Sequence, residues 1–103
     1  MANGTLGQAD LSALTNTTVY TVPADTTATI SINLCNRSGL TQSVRIAIST
    51  SGTPTAAEYI EYDCILPSSG TLERTGLVIS ANKNIVVYST DDQVSVNVYG
   101  YEA

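Results

Sequence analysis

The sequence predicts an all-β protein: a single antiparallel β-sandwich of about seven strands, with either a jelly-roll-like or an immunoglobulin-like topology. Threonine, valine and isoleucine account for 15, 9 and 8 of its 103 residues, and these β-branched side chains fit a pleated sheet better than a helix. Short runs in which apolar and polar residues alternate are separated by turn residues at close, regular spacing. Such spacing favours an antiparallel sandwich over a parallel sheet.

The strands can be placed in chain order. We expect residues 1–16 to form an N-terminal arm or lead-in, because they show no strong alternation, and residues 17–103 to form the sandwich domain. The predicted strands cover residues 17–22, 28–34, 44–48, 59–66, 72–79, 85–89 and 94–99. The clearest turn between them is Pro67-Ser68-Ser69-Gly70, whose residue types favour tight turns.

Two irregular features interrupt this pattern. Residues 49–57 (STSGTPTAA) form the longest break, and within it Pro54 is expected to open one helical turn that continues through Glu58. Gly76 falls inside the predicted strand 72–79, and a glycine at such a position predicts a bulge or a bend.

The composition limits the chemistry of the chain. There is no histidine, which removes the usual general base near neutral pH and the commonest metal ligand. One lysine and three arginines stand against nine carboxylates, and the net charge is −5, so a phosphate-binding surface is not expected. We therefore expect no enzyme activity, no cofactor, no metal and no nucleic-acid partner.

No segment has the pattern of a targeting signal or a membrane span. Residues 1–6 contain neither a basic nor an apolar region of the kind that begins a secretory signal. The longest clean apolar run, Ile85 to Tyr88, is far shorter than a membrane span. We expect a protein that is made in a cytosol and has no membrane partner.

The two cysteines, Cys35 and Cys64, are expected to be free thiols. A domain that can build its own core does not need a disulfide framework. Strand parity supports this expectation, because Cys64 shares a face with Ile60, Tyr62 and Leu66, whereas Cys35 is out of step with the apolar residues of its own strand.

Other polar groups have simpler structural explanations than a chemical site. Asp91 and Asp92 lack the further spaced ligands of a calcium loop, so a solvated turn is expected there. Glu58 and Glu61 differ in strand parity, and the chain has no tryptophan that could support a sugar ring. These carboxylates therefore do not indicate a glycosidase.

The six tyrosines are either caps on the ends of a small core or parts of subunit contacts, since tyrosine combines an apolar ring with a polar tip. Tyr99 and Tyr101 share one strand face with Ser95 and Asn97. This row of four residues is our candidate interface.

Arg74 is a lone cation inside an apolar stretch, where an arginine usually pairs with a carboxylate. The candidates are Glu58, Glu61 and Asp63 in or just before the predicted strand 59–66, which we expect to be the neighbour of strand 72–79, and we select Glu61. The expected Arg74–Glu61 pair is structural; ligand binding by Arg74 is the alternative.

Several short motifs occur in a fixed order along the chain. They are VYTVPA at 19–24, CNR at 35–37, EYIEYD at 58–63, LERTG at 72–76 and VNVYGYE at 96–102. In this succession, which extends over residues 14–102, the chain resembles small structural proteins of tailed bacteriophages. The resemblance implies a virion component, a small β-sandwich on a tail, a neck or a capsid surface, and it implies no catalytic residues.

The expected function is therefore that of a bacteriophage virion structural protein, which acts through contacts with other phage structural proteins. One alternative is specifically a capsid decoration or cement protein, and another is a host-attachment carbohydrate-binding module. We expect a homo-oligomer, with a trimer favoured because small virion proteins often occupy three-fold positions. The expected location is the virion, after synthesis in the host cytoplasm.

Overall fold

The computed structural model describes residues 3–103, and its elements are almost all β-strands. The strands are β1 (Asn3–Asp10), β2 (Thr17–Thr21), β3 (Ala28–Asn36), β4 (Gln42–Ser49), β5 (Tyr59–Leu66), β6 (Thr71–Ile79), β7 (Asn84–Ser89) and β8 (Val94–Glu102). A single turn of 3-10 helix, Ala56–Glu58, precedes β5, in the place where Pro54 predicted a helical turn. Within residues 3–103, no helix has the length and apolar character needed to cross a membrane.

The strands form two four-stranded antiparallel sheets that pack face to face. Sheet A has the order β1-β8-β3-β6, and sheet B has the order β2-β7-β4-β5. This is the strand order of an eight-stranded jelly roll built from two Greek keys. The immunoglobulin-like alternative is wrong, because its first two strands are neighbours in one sheet, whereas β1 and β2 lie in different sheets here.

The eighth strand, β1, lies in the segment that we expected to be an arm or lead-in. It pairs with β8 along the margin of sheet A, so residues 3–10 belong to the sandwich; Met1 and Ala2 of the predicted arm lie outside the described residues. The weak pattern of this strand has a physical cause. A Cβ on Gly7 would overlap the backbone carbonyl of Val19 in β2, so the close approach of the two strands requires a glycine where an alternating strand would have an apolar side chain.

The core lies between the sheets and follows the predicted alternation closely in the central strands. In β3 every second residue from Ala28 to Asn36 is buried, and the residues between them are partly exposed. Aliphatic side chains from β4, β7 and β8 complete the core. Each fully buried side chain of this kind contributes roughly 1.5–3 kcal/mol, and these central strands therefore anchor the fold.

All four marginal strands are bulged. The register shifts in the pairs β1–β8, β2–β7, β3–β6 and β4–β5, and in each of them the extra residue lies on the marginal strand. The central pairs β3–β8 and β4–β7 run without a shift. Bulges on marginal strands prevent a second chain from adding a regular strand there. Contacts with other molecules are therefore expected through the sheet faces and the loops.

A buried amide ties together the turns at one end of the sandwich. The Asn36 side chain is 1% exposed, and its Nδ2 donates to the carbonyl oxygens of Leu40, Leu66 and Pro67 at 2.9, 3.1 and 3.0 Å. Its Oδ1 accepts hydrogen bonds from the backbone N–H and the hydroxyl of Ser38. The amide thus joins the β3–β4 turn to the β5–β6 turn.

Candidate functional site

The predicted interface row lies on the outer face of sheet A. Ser95, Asn97, Tyr99 and Tyr101 alternate along β8 with the buried valines of the core. β8 is paired with β1 on one side and with β3 on the other. Its backbone therefore has no free edge for a further strand, and the row can contact a partner only through side chains. Tyr101 is 53% exposed and Tyr99 is 36% exposed.

Hydrogen bonds fix the row to its neighbouring strands. Gln8 on β1 donates from Nε2 to Oδ1 of Asn97 at 2.6 Å. The Tyr99 hydroxyl donates to the carboxylate of Glu73 on β6, and this hydrogen bond raises the pKa of Tyr99. Asn97 and Tyr99 are therefore held in place, and the four side chains of the row present hydroxyl and amide groups without a charge of their own.

The predicted ion pair between Arg74 and Glu61 is present. Nη1 of Arg74 lies 2.9 Å from Oε2 of Glu61. Its position differs from the expectation in one respect, because β5 and β6 are not neighbours in one sheet but marginal strands of opposite sheets. Arg74 is opposite the buried Ile32 and Glu61 is opposite the buried Ile46, so both side chains point inward and meet across the open side of the sandwich.

A second cluster, which the sequence did not predict, lies on the outer face of sheet B. The guanidinium of Arg45 lies between two tyrosine rings, with its Cζ 4.3 Å from the ring centre of Tyr62 and 4.6 Å from that of Tyr88. Its Nε donates to Oδ1 of Asp63 at 2.6 Å. We call these four residues (Arg45, Tyr62, Asp63 and Tyr88) the Arg45 cluster.

A bulge in β5 creates this cluster. Arg45 is opposite the stretch of β5 in which two residues, Tyr62 and Asp63, separate the partners of Val44 and Ile46, one more than in a regular strand. Asp63 within it has a φ of 51°, a left-handed conformation that aspartate tolerates better than most residues. The bulge directs both Tyr62 and Asp63 toward the arginine of the neighbouring strand.

The expectation that Tyr62 shares a face with Ile60 and Cys64 is therefore wrong. Tyr62 is 59% exposed, whereas Ile60 and Cys64 pack against the core. A period of two cannot continue through a bulge. The available signal was Asp63 itself, since aspartate is uncommon inside strands.

Electrostatics hold the Arg45 guanidinium in its charged form. The hydrogen bond that Arg45 donates to Asp63 raises the pKa of Arg45 above its ordinary value. Two flanking aromatic rings add cation–π attraction. The two terminal nitrogens of Arg45, Nη1 and Nη2, have no hydrogen-bond partner among residues 3–103. The Arg45 side chain is 26% exposed.

Apolar surface adjoins the Arg45 cluster on both sides along β5. On one side a depression of about 510 Å³ is lined by Ala56, Tyr59 and Tyr62, and its two tyrosine rings meet edge to face at 4.9 Å. On the other side Ile65 is 63% exposed. The charged pair thus lies between two apolar regions.

The loop between β4 and β5 covers part of the same sheet face. Glu58 organises this loop: its carboxylate accepts hydrogen bonds from the Ser49 hydroxyl and from the backbone N–H groups of Thr50 and Thr55. These bonds, chiefly those from Thr55 and Ser49, lower the pKa of Glu58 to about 2. A Cβ on Gly52 would lie 3.7 Å from the Thr18 hydroxyl, so the loop reaches β2 and leaves the Arg45 cluster uncovered.

Both cysteines are free, as the sequence predicted. Cys64 is opposite Val44 in sheet B and faces the core, whereas Cys35 lies in sheet A at an outward position. Burial raises the pKa of the Cys64 thiol, and a thiol in this state is a poor nucleophile.

Residues 3–103 contain no group of three or more histidine, cysteine, aspartate or glutamate side chains that could hold a metal ion. The chain matches no protein-family model, no curated protein and no solved structure.

Proposed function

We propose that this protein is a non-enzymatic structural component of a bacteriophage virion, and that it acts through contacts with other phage structural proteins on the tail, the neck or the capsid surface. The sequence resemblance and the jelly-roll topology, which occurs in viral capsid domains, both support this proposal.

The observation on which the proposal mainly depends is that the charged residues of these motifs form ion pairs within the chain. All three arginines are in ion pairs: Arg37 with Asp10, Arg45 with Asp63, and Arg74 with Glu61. Each pair includes a residue of the CNR, EYIEYD or LERTG motif. The charged residues of these motifs are thus paired within the chain, as expected of a protein whose function is to present surfaces.

We place the contact with other subunits on the outer face of sheet A, at the row of Ser95, Asn97, Tyr99 and Tyr101. Tyrosine is enriched in protein–protein interfaces, and the bulged marginal strands disfavour assembly by strand addition. A homo-oligomer, with a trimer favoured, would bring three such rows together on a larger shell or tail.

A virion incorporation assay tests this proposal. The Tyr99→Ser, Tyr101→Ser double variant is supplied in place of the wild-type chain during phage production, and its amount in purified particles is measured by quantitative mass spectrometry. We expect strong depletion of the double variant and normal incorporation of a Leu14→Ser control, since Leu14 is 68% exposed but lies in a loop. Equal incorporation of both variants would contradict the proposed interface, and absence of the wild-type chain from particles would contradict the function.

One observation favours a second candidate, a host-attachment carbohydrate-binding module. The depression beside Tyr59 and Tyr62 is open and lined by aromatic rings, and ligand sites commonly combine such rings with a few polar groups. Binding of the purified protein to a glycan array, abolished by Tyr59→Ala, would favour this candidate over the structural one.

A further inference from the structure

The Arg45 cluster carries one positive and one negative group, and each retains unused hydrogen-bonding capacity. Asp63 accepts from Arg45 through Oδ1, while its Oδ2 has no partner among residues 3–103. The two terminal nitrogens of Arg45 are likewise without a partner in this part of the chain. The cluster therefore offers both a donor edge and an acceptor atom to an incoming molecule.

We propose that the outer face of sheet B at the Arg45 cluster is a two-fold interface between two copies of this chain. A two-fold interface requires a surface that complements itself. A guanidinium and a carboxylate side by side meet this requirement, because rotation places the Arg45 of each copy opposite the Asp63 of the other. The free Nη atoms of one copy then donate to the free Oδ2 of its neighbour.

The local charge at this face does not oppose self-association. Two copies with a net charge of −5 each repel one another. At the Arg45 cluster a positive and a negative group lie side by side, so the contact adds no like-charge pair to that repulsion. The guanidinium is also already held by two rings and by Asp63, and little side-chain freedom remains to be lost on association.

The apolar regions on either side of the cluster fit the same symmetry. Ile65 lies on one side of Asp63 along β5, and the depression lined by Ala56, Tyr59 and Tyr62 lies on the other. An axis that exchanges Arg45 and Asp63 lies between β4 and β5 and runs along these strands, so Ile65 of each copy lies over Ser43 of its neighbour, because Ser43 is the partner of Ile65 across the two strands. The two Ile65 side chains therefore meet beside the axis. They are exposed apolar anchors of the kind that dominate binding energy.

This interface goes beyond the proposed function and does not depend on it. It uses the face of the sandwich opposite the Tyr99 row, so the two contacts can coexist in one assembly. If both the Tyr99-row contact and the two-fold contact form in solution, the mass of the oligomer is an even multiple of the chain mass. If only the two-fold contact forms, the protein is a dimer.

The test compares two equivalent substitutions on opposite faces. Ile65→Asp places a charge at the proposed interface, and Val78→Asp places the same charge on β6 at a residue that is 68% exposed, against 63% for Ile65. Analytical ultracentrifugation at chain concentrations up to the order of 100 μM measures the mass of each protein. We expect a wild-type mass that is an even multiple of the chain mass, and a value halved by Ile65→Asp but not by Val78→Asp.

The magnitude and the controls follow from the same geometry. Ile65→Asp is expected to weaken association at least roughly tenfold, and thermal melts establish that the variant remains folded; Ile65→Ser replaces it if it does not.

Three results would overturn the proposal. They are a wild-type monomer throughout the concentration range, a dimer that Ile65→Asp leaves intact, and a trimer that depends on Val78 or Tyr99 but not on Ile65. The last result would remove the two-fold interface while leaving the proposed virion function in place.

Discussion

Arg74 and Glu61 meet at 2.9 Å across the open side of the sandwich, each from an inward-facing position on a marginal strand of a different sheet. The pair has two consequences for the fold. It closes the gap between β5 and β6 with hydrophilic groups, and it places an inward-pointing charge on each of these two strands, which discourages pairing with another chain.

The first prediction concerns this pair. Arg74→Ala leaves the carboxylate of Glu61, which is 18% exposed, without its partner at the edge of the core. Because the Arg74 side chain is 44% exposed, solvent screens the interaction, and we expect a loss of about 1 kcal/mol, or roughly 4–8 °C in melting temperature.

Arg37→Ala is the matched control for that measurement. The Arg37–Asp10 pair is open to solvent on both sides, with side chains 46% and 67% exposed, and its removal is expected to cost roughly 0.5 kcal/mol or less. An Arg74→Ala variant that melts at the same temperature as Arg37→Ala would show that the inter-sheet pair has no special role.

The second prediction concerns the amide that joins two turns. Asn36→Ala leaves the buried carbonyl oxygen of Leu66 and the partly buried one of Pro67 without this donor, and we expect a loss of about 2–3 kcal/mol. Asn33→Ala, on the outward side of the same strand, is expected to stay within about 0.5 kcal/mol of the wild type. Urea unfolding of both variants measures the difference, and similar midpoints would contradict the role given to Asn36.

The third prediction concerns a glycine in β8. Gly100 has a φ of 149°, and a Cβ there would overlap the backbone of Thr29 in β3. Gly100→Ala must therefore separate two central strands, and we expect a loss of about 3 kcal/mol. Gly39→Ala is the control, because a Cβ on Gly39 meets nothing within 4 Å. Calorimetric melts that coincide for the two variants would refute this account of Gly100.

The fourth prediction is a pH dependence. The pKa of Glu58 is lowered from 4.5 to about 2 by its hydrogen bonds. A carboxyl group with a lowered pKa stabilises the folded state fully above its unfolded pKa, and this contribution is lost as the pH falls through the folded pKa. We therefore expect Glu58→Gln to be less stable than the wild type at pH 7, with the difference shrinking between about pH 4.5 and pH 2.

Denaturant unfolding at pH 7 and near pH 2 checks the effect of Glu58. Asp92→Asn serves as the control, because Asp92 lies in a turn and none of the hydrogen bonds or ion pairs described here includes it. If the gap between the Glu58→Gln variant and the wild type is the same at both pH values, the carboxylate does not organise the loop.

Regular alternation predicted the strands of the core well, because a strand with one buried face must keep a period of two. The structure confirms the alternation of β3 and of β8 up to Val98, and also the irregularity at Gly76, which has a φ of 69° within a register shift. The pairing of Arg74 with Glu61 was also predicted, because an arginine among apolar residues needs a carboxylate nearby.

The sequence did not predict the features in which the two-residue alternation of buried and exposed side chains is interrupted. β1 was not predicted because its close approach to β2 requires Gly7. The Arg45 cluster was not predicted because the bulge at Asp63 turns Tyr62 outward. The expectation that β5 and β6 are neighbours in one sheet was wrong for a different reason. Strand order depends on how the sheets close over one another, and no local pattern in the sequence encodes it.

Electron cryo-microscopy of particles of the proposed phage would locate the protein directly. We expect density for an eight-stranded jelly roll at repeated positions on the tail, the neck or the capsid surface, with the Tyr99 row of each copy against another protein chain. Particles that lack this density, or copies whose Tyr99 row faces only solvent, would rule out the proposed role.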